Sequence, residues 1–139
     1  RAPVRYGKSE VIYDESDIAL VAVGSMVKTA LEVRGRLREA GYSCTLVNAR
    51  FVKPLDEELL RNLAAEHKLV ATLEENVLSG GFGEHVTQYL NQCGADARIV
   101  NIAIPDEYVE HGNVDILRKE TGIDADSIVK KLIAEYIGL

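Results

Sequence analysis

Two adjacent carboxylates and an amide, Glu74-Glu75-Asn76, follow an apolar run that begins at Leu69, and a glycine-rich stretch, Gly80-Gly81-Phe82-Gly83, comes shortly after. Paired carboxylates can exchange protons when burial splits their pKa values. Neighbours on a strand point to opposite faces, however, so Glu74 and Glu75 do not form a simple dyad. One is expected to turn inward, to backbone amides or to Arg50, and the other to face a partner domain. Backbone N–H groups in the glycine stretch can cradle an anion at a helix start. The spacing is not that of a dinucleotide fingerprint, which needs GxGxxG in a tight strand–turn–helix. The alternative is that these glycines permit positive φ and close packing.

A second cluster lies earlier. In Asn48-Ala49-Arg50-Phe51-Val52-Lys53-Pro54-Leu55-Asp56, Arg50 and Lys53 flank an apolar pair, Pro54 sets a turn and Asp56 caps a helix. The histidines are His67, His85 and His111, with no HxxxH or HExxH spacing, so no metal site is expected. His67 closes a helix, where a cation complements the negative end. His111, beside Gly112 in a turn, is the best functional candidate of the three. No GxSxG elbow or P-loop occurs, and the residues assemble no complete catalytic apparatus.

These groups need a scaffold. Residues Arg1 to Gly7 read as a linker and 8–139 as one domain. Ser9 to Tyr13 alternates weakly, as an edge strand would. The continuous apolar run Ile18 to Val23 suits a strand buried on both faces. Ser25 then caps a helix with Val27, Ala30, Leu31, Val33 and Leu37 on its apolar side, ended by Gly41. Further strands are expected at Ser43 to Asn48, Leu69 to Leu73 and Arg98 to Ile104. Helices are expected at Asp56 to Glu66, at about Glu84 to Gln92 with Val86, Tyr89 and Leu90 inward, at Val114 to Glu120 and at Asp126 to Ile137. Asp124 or Asp126 caps the last. This alternation predicts an α/β domain of three layers, α/β/α, around a mostly parallel five-stranded sheet. Arg50, Lys53, Glu74, Glu75 and Asn76 then fall at or just past the carboxyl ends of strands, where open α/β sheets place ligands.

With 139 residues, 47% of them apolar, the chain can bury a core of its own. A net charge of −6 with interspersed signs lacks the concentrated basic face that nucleic acid requires. Cys44 and Cys93 have no CxxC spacing and are expected as buried reduced thiols. No apolar run approaches a membrane span and no signal peptide is visible, so the cytoplasm is the default compartment. Arg1 in place of Met suits a piece of a longer protein.

Three segments in order carry a resemblance: Asn48 to Asp56, Thr72-Leu73-Glu74-Glu75-Asn76 with Gly80 to Gly83, and Ile104-Pro105-Asp106 with Glu110-His111-Gly112. Together they resemble the 1-deoxy-D-xylulose-5-phosphate synthases, thiamine-diphosphate enzymes of the transketolase superfamily, and in particular their C-terminal domain. The similarity runs from about Lys8 to Gly138. Ala103 departs from the glycine of many members, and Glu84-His85 from a smaller pair. The resemblance implies a three-domain homodimer. Its first two domains hold thiamine diphosphate and Mg²⁺ and condense pyruvate with glyceraldehyde 3-phosphate, releasing CO₂, for isoprenoid, thiamine and pyridoxal precursors. The Gly-Asp-Gly…Asn cofactor motif and the activating glutamate are absent here. No catalytic, cofactor-binding or metal residue carries over, and the chain alone is expected to be inactive. Arg50, Lys53, Glu74, Glu75, Asn76 and His111 are instead candidates for meeting a neighbouring domain or subunit. The other readings are the equivalent domain of a transketolase or of a 2-oxo-acid dehydrogenase β subunit, and a free-standing regulatory module that binds an anion at the glycine loop.

Overall fold

A computed structural model describes residues 7–50, 53–78, 80–105 and 114–139. The run from Ile18 forms β2 (Ile18–Ala22), buried at every position, as expected for a central strand covered on both faces. Four further strands, β1 (Glu10–Tyr13), β3 (Cys44–Asn48), β4 (Leu69–Val77) and β5 (Arg98–Ile104), complete a sheet of order β1-β3-β2-β4-β5. β3, β2, β4 and β5 are parallel, and β1 pairs antiparallel with β3 at the edge. β4 extends past the apolar run through Glu74-Glu75-Asn76, so the carboxylates sit on the strand itself.

Alternation along the strands splits the core into two layers. On one face Ile18, Leu20, Leu46, Leu69, Ala71 and Leu73 pack with α1 (Met26–Glu39) and α5 (Ala125–Ile137). On the other, Ala19, Val21, Val47 and Val70 pack with α2 (Glu57–Glu66) and α3 (Phe82–Gln92). A short α4 (Val114–Thr121) precedes α5. The result is the α/β/α arrangement anticipated from the alternation of elements.

Local chemistry sets the helix ends. Asp56 accepts from the amide of Leu59 at 3.4 Å, and Asp124 from Ser127 at 3.3 Å. Gly41 follows α1 with φ of 97°, a left-handed turn natural to glycine. Three expectations differ. Ser25 stands at the start of α1 but its hydroxyl makes no capping bond, because it is drawn to Glu75. Leu31, assigned to the apolar side of α1, is 43% exposed. Cys93 is exposed at the end of α3, whereas Cys44 is buried as expected.

Candidate functional site

In an open parallel sheet the ligand crevice forms where successive connections leave for opposite faces. Here α1 leaves β2 over one face toward β3, and α3 leaves β4 over the other face toward β5. The switch point therefore lies between β2 and β4, at the carboxyl ends that carry Gly24-Ser25 and Glu74-Glu75.

Glu74 is fully buried on the α3 side. Its Oε1 accepts from the amide of Phe82 at 3.0 Å and its Oε2 from that of Gly83 at 2.6 Å. A carboxylate at a helix start satisfies amides that lack partners within the helix and meets the positive end of the dipole. The other two amides of Gly80-Gly81-Phe82-Gly83 are also engaged. Gly80 donates to Glu84 Oε1 at 3.0 Å and Gly81 to the Leu78 carbonyl at 3.0 Å. Of the two readings of the glycines, the anion cradle is thus occupied by Glu74, Glu84 and the Leu78 carbonyl. Close approach of α3 to the sheet depends on Gly83, where an added Cβ would lie 2.6 Å from Thr72 Oγ1 and 2.7 Å from Asn101 Oδ1. Beneath it Thr72 donates to Asn101 Oδ1 at 2.7 Å, and the Asn101 amide donates to Thr87 at 3.0 Å.

Glu75 points to the opposite face, as alternation requires. There its Oε1 accepts from the Ser25 hydroxyl and from the Arg118 guanidinium of α4. Burial pushes the Glu75 carboxyl up, but the Ser25 hydroxyl and Arg118 together outweigh it and hold it below the ordinary value. The switch-point crevice is therefore bridged from β2 to α4. Asn76 is exposed at the rim.

Arg50 does not reach Glu74. It pairs with Glu10 of β1 at 2.7 Å and is 16% exposed. Lys53 is exposed beyond it. These residues share the carboxyl end of the parallel strands, yet the Arg50–Glu10 pair joins β3 to β1 while the Ser25–Glu75–Arg118 bridge joins β2 to β4 and α4. His111, together with Phe51 and Val52, lies outside the described residues.

His67 caps α2, buried. Its Nδ1 donates to the Leu63 carbonyl at 2.9 Å and its Nε2 meets Thr45 Oγ1 at 2.8 Å, so the ring ties the helix end to β3. Among the described residues no group of three His, Cys, Asp or Glu is placed to hold a metal ion, and none of their helices is long and apolar enough to cross a membrane. A cleft of about 380 Å³ beside α1, α4 and α5 is lined by Arg36, Arg118 and Lys119 and by Glu32, Asp124 and Asp126. Arg36 already pairs there with Glu32 at 2.6 Å and Asp126 at 3.4 Å, leaving no single charge preference. Cys44, at the start of β3 in the layer under α1, has its thiol pushed up to about 12 by burial, with the Arg34 guanidinium opposing.

Sequence reasoning missed Arg118, Asn101 and Glu10. Asn101 carried a signal, being a polar residue inside the apolar strand Arg98–Ile104. Arg118 and Glu10 carried none, since both find their partners through the tertiary fold.

The α/β/α layers, the mostly parallel five-stranded sheet and its antiparallel edge strand define the class of domain. The chain belongs to the family "Transketolase, C-terminal domain", which it matches over residues 7–128. It is 51% identical over 130 residues to a 1-deoxy-D-xylulose-5-phosphate synthase of Lachnoclostridium phytofermentans, which covers 91% of this chain and 20% of that protein. It is 43% identical to the synthase of Dehalococcoides mccartyi, again with 20% of that protein covered. The chain thus spans about one fifth of the length of these relatives. Among solved structures it is similar to an inactive β4 tetramer of a split-gene transketolase, with a TM-score of 0.85 and 28% identity over 93% of this chain and 42% of that one. The fold is shared with a transketolase of Pichia stipitis, at a TM-score of 0.68 and 14% identity, over 94% of this chain and 18% of that one.

Proposed function

We propose that this chain is the C-terminal domain of a 1-deoxy-D-xylulose-5-phosphate synthase, a homodimeric, cytoplasmic, thiamine-diphosphate-dependent transferase. The full enzyme condenses pyruvate with glyceraldehyde 3-phosphate and releases CO₂, supplying isoprenoid, thiamine and pyridoxal precursors. The observation that carries this reading is the 51% identity to a synthase across nearly all of this domain. Among the described residues none is placed to hold thiamine diphosphate and Mg²⁺. The loop amides are spent on Glu74, Glu84 and Leu78, and the described carboxylates converge on no metal position. In this reading the rest of the polypeptide holds the cofactor, and this domain buttresses the parts that hold it. The same filled loop argues against a free-standing anion-binding module.

In this reading Arg50, Lys53, Glu75, Asn76 and His111 meet a neighbouring domain or subunit, and Glu74 shapes that surface from inside by fixing the start of α3. The test pairs the full-length protein with the 139-residue chain. The full-length protein forms 1-deoxy-D-xylulose 5-phosphate, and the 139-residue chain forms none and gives no heat on titration with thiamine diphosphate and Mg²⁺. Micromolar binding by the short chain, or a full-length protein that makes a different product, overturns the assignment.

A further inference from the structure

α2 and α3 pack on the same face of the sheet, and their carboxyl-terminal parts border a cleft of about 350 Å³. Small-molecule sites are commonly about 300–1,000 Å³. Ala64, Ala65 and Leu90 give this cleft an apolar wall, and three groups of different chemistry share its lining: the Cys93 thiol, the Arg61 guanidinium and the Asp96 carboxylate. The fold leaves these groups available. Among the described residues Asp96 is in no ion pair, and Cys93 is a free, exposed thiol.

The thiol is tied to its neighbours. Arg61 Nη1 donates to the Tyr89 hydroxyl at 2.6 Å. That hydroxyl in turn hydrogen-bonds Cys93, which ends α3 four residues later and so lies on the same side of the helix. The charge of Cys93 also acts on Arg61 across the cleft. An exposed sulfur with a cation beside it is the setting in which thiols react, whereas Cys44 is shut in the core. A guanidinium carries further N–H groups in a planar fork that matches a carboxylate. Asp96 offers the opposite charge, suited to an ammonium group. The cleft thus presents, around one thiol, complements to both charged ends of an amino acid.

We propose that Cys93 is a site of S-thiolation by a low-molecular-weight amino-acid disulfide, whose carboxylate pairs with Arg61 and whose ammonium group pairs with Asp96. The Cys93 thiolate attacks one sulfur of the disulfide. A new S–S bond forms to Cys93, the old one breaks, and the leaving thiolate takes up the proton that Cys93 released. The small disulfide is itself the oxidant: protein thiol and disulfide become a mixed disulfide and a small thiol. The proposal does not depend on which reaction the full-length protein performs.

The test treats the full-length protein with oxidised glutathione and, separately, with uncharged hydroxyethyl disulfide. Thiolation of the Cys93 peptide is followed by mass spectrometry. Each rate is divided by that of the same disulfide with N-acetylcysteine amide, which removes differences in the leaving thiol. Glutathione is expected to be favoured about fivefold, the scale of an exposed charge pair. The net charge of −6 on this domain opposes an anionic disulfide, so a preference of that sign must come from the cleft. Arg61→Gln and Asp96→Asn, both at exposed positions, should each lower the preference while thiolation by hydroxyethyl disulfide continues. Equal normalised rates for the two disulfides, or a preference that neither substitution changes, would make Cys93 an ordinary exposed thiol and overturn the proposal. Absence of any thiolation at Cys93 would overturn it as well, whatever product the enzyme makes.

Discussion

Glu74 Oε2 lies 2.6 Å from the amide nitrogen of Gly83, so the helix that follows the glycine loop is capped by the strand that precedes it. The same carboxylate takes the Phe82 amide at 3.0 Å with its other oxygen. One side chain thereby joins β4 to α3 and occupies the position in which such folds receive phosphate.

Replacing Glu74 tests this cap directly. Glu74→Ala removes two charge-assisted bonds and leaves both amides buried without partners, at a cost of about 3 kcal/mol. That corresponds to a fall in Tm of about 10 °C for a domain of this size. Glu74→Gln keeps one acceptor but turns an NH₂ toward a donor, and should cost about half as much. Urea denaturation of the three proteins checks the order. A neutral Glu74→Ala would show that the cap contributes nothing.

Gly83 is required for lack of space. Gly83→Ala puts a methyl 2.6 Å from Thr72 Oγ1 and 2.7 Å from Asn101 Oδ1, so α3 must lift or the Thr72–Asn101–Thr87 bonds must break. The expected cost is about 2 kcal/mol. Thr72→Ala should recover part of it in the double variant, whereas it destabilises the wild type. This non-additivity in a double-mutant cycle is the measurement. Gly24→Ala, with nothing within 4 Å, should cost less and only through its φ of 59°.

The two adjacent glutamates show how far the sequence alone reaches. Alternation placed Glu74 and Glu75 on opposite faces, and the apolar run Ile18 to Val23 located the central strand, because both follow from local geometry. Which glutamate faced which helix depended on strand order, which no local pattern records. Ser25 reads locally as a cap, yet its hydroxyl is taken by a carboxylate fifty residues away. By sequence Arg50 is one possible partner for whichever glutamate turns inward, but it pairs with Glu10 because β1 returns antiparallel along β3. Leu31 fits the helical period and still faces outward, since the period marks a side of the helix and not what covers it. The candidate interface residues were thus legible as strand ends, and their ion-pair partners were not.

Glu75 makes stability depend on pH. Its folded-state pKa lies below the ordinary 4.5, held there by Ser25 and Arg118 against the opposing effect of burial. Its stabilisation is therefore complete above pH 4.5 and is lost as the pH falls through the lower folded-state value. Glu75→Gln should flatten the acid limb of the stability profile in that window. Arg118→Ala should return the Glu75 titration, followed by carboxyl NMR, toward 4.5. An unmoved titration would mean that the bridge does not form in solution.

The cysteines should separate cleanly by reactivity. Cys44 is buried, with its thiol raised to about 12, while Cys93 is exposed. The thiolate is the reactive species, so a thiol reagent near neutral pH should modify one group in the folded chain and two in urea. Cys93→Ser should abolish labelling of the folded chain. Labelling of Cys44 in the native state would show that the α1 layer opens readily from the sheet.

Arg50 separates a local role from a longer-range one. Its pair with Glu10 is partly exposed, and such pairs contribute about 1 kcal/mol or less. Arg50→Ala should therefore leave the 139-residue chain folded, with a Tm lower by only a few degrees (about 4 °C at most). If the carboxyl end of the sheet meets a neighbouring domain or subunit, the same change should cost more in the full-length protein, as weaker dimerisation or lower synthase activity. Loosening β1 alone would instead act equally in both proteins. Comparing the loss of unfolding free energy between the short and full-length proteins separates the two. Equal losses, with assembly and activity intact, would confine Arg50 to holding β1 on the sheet.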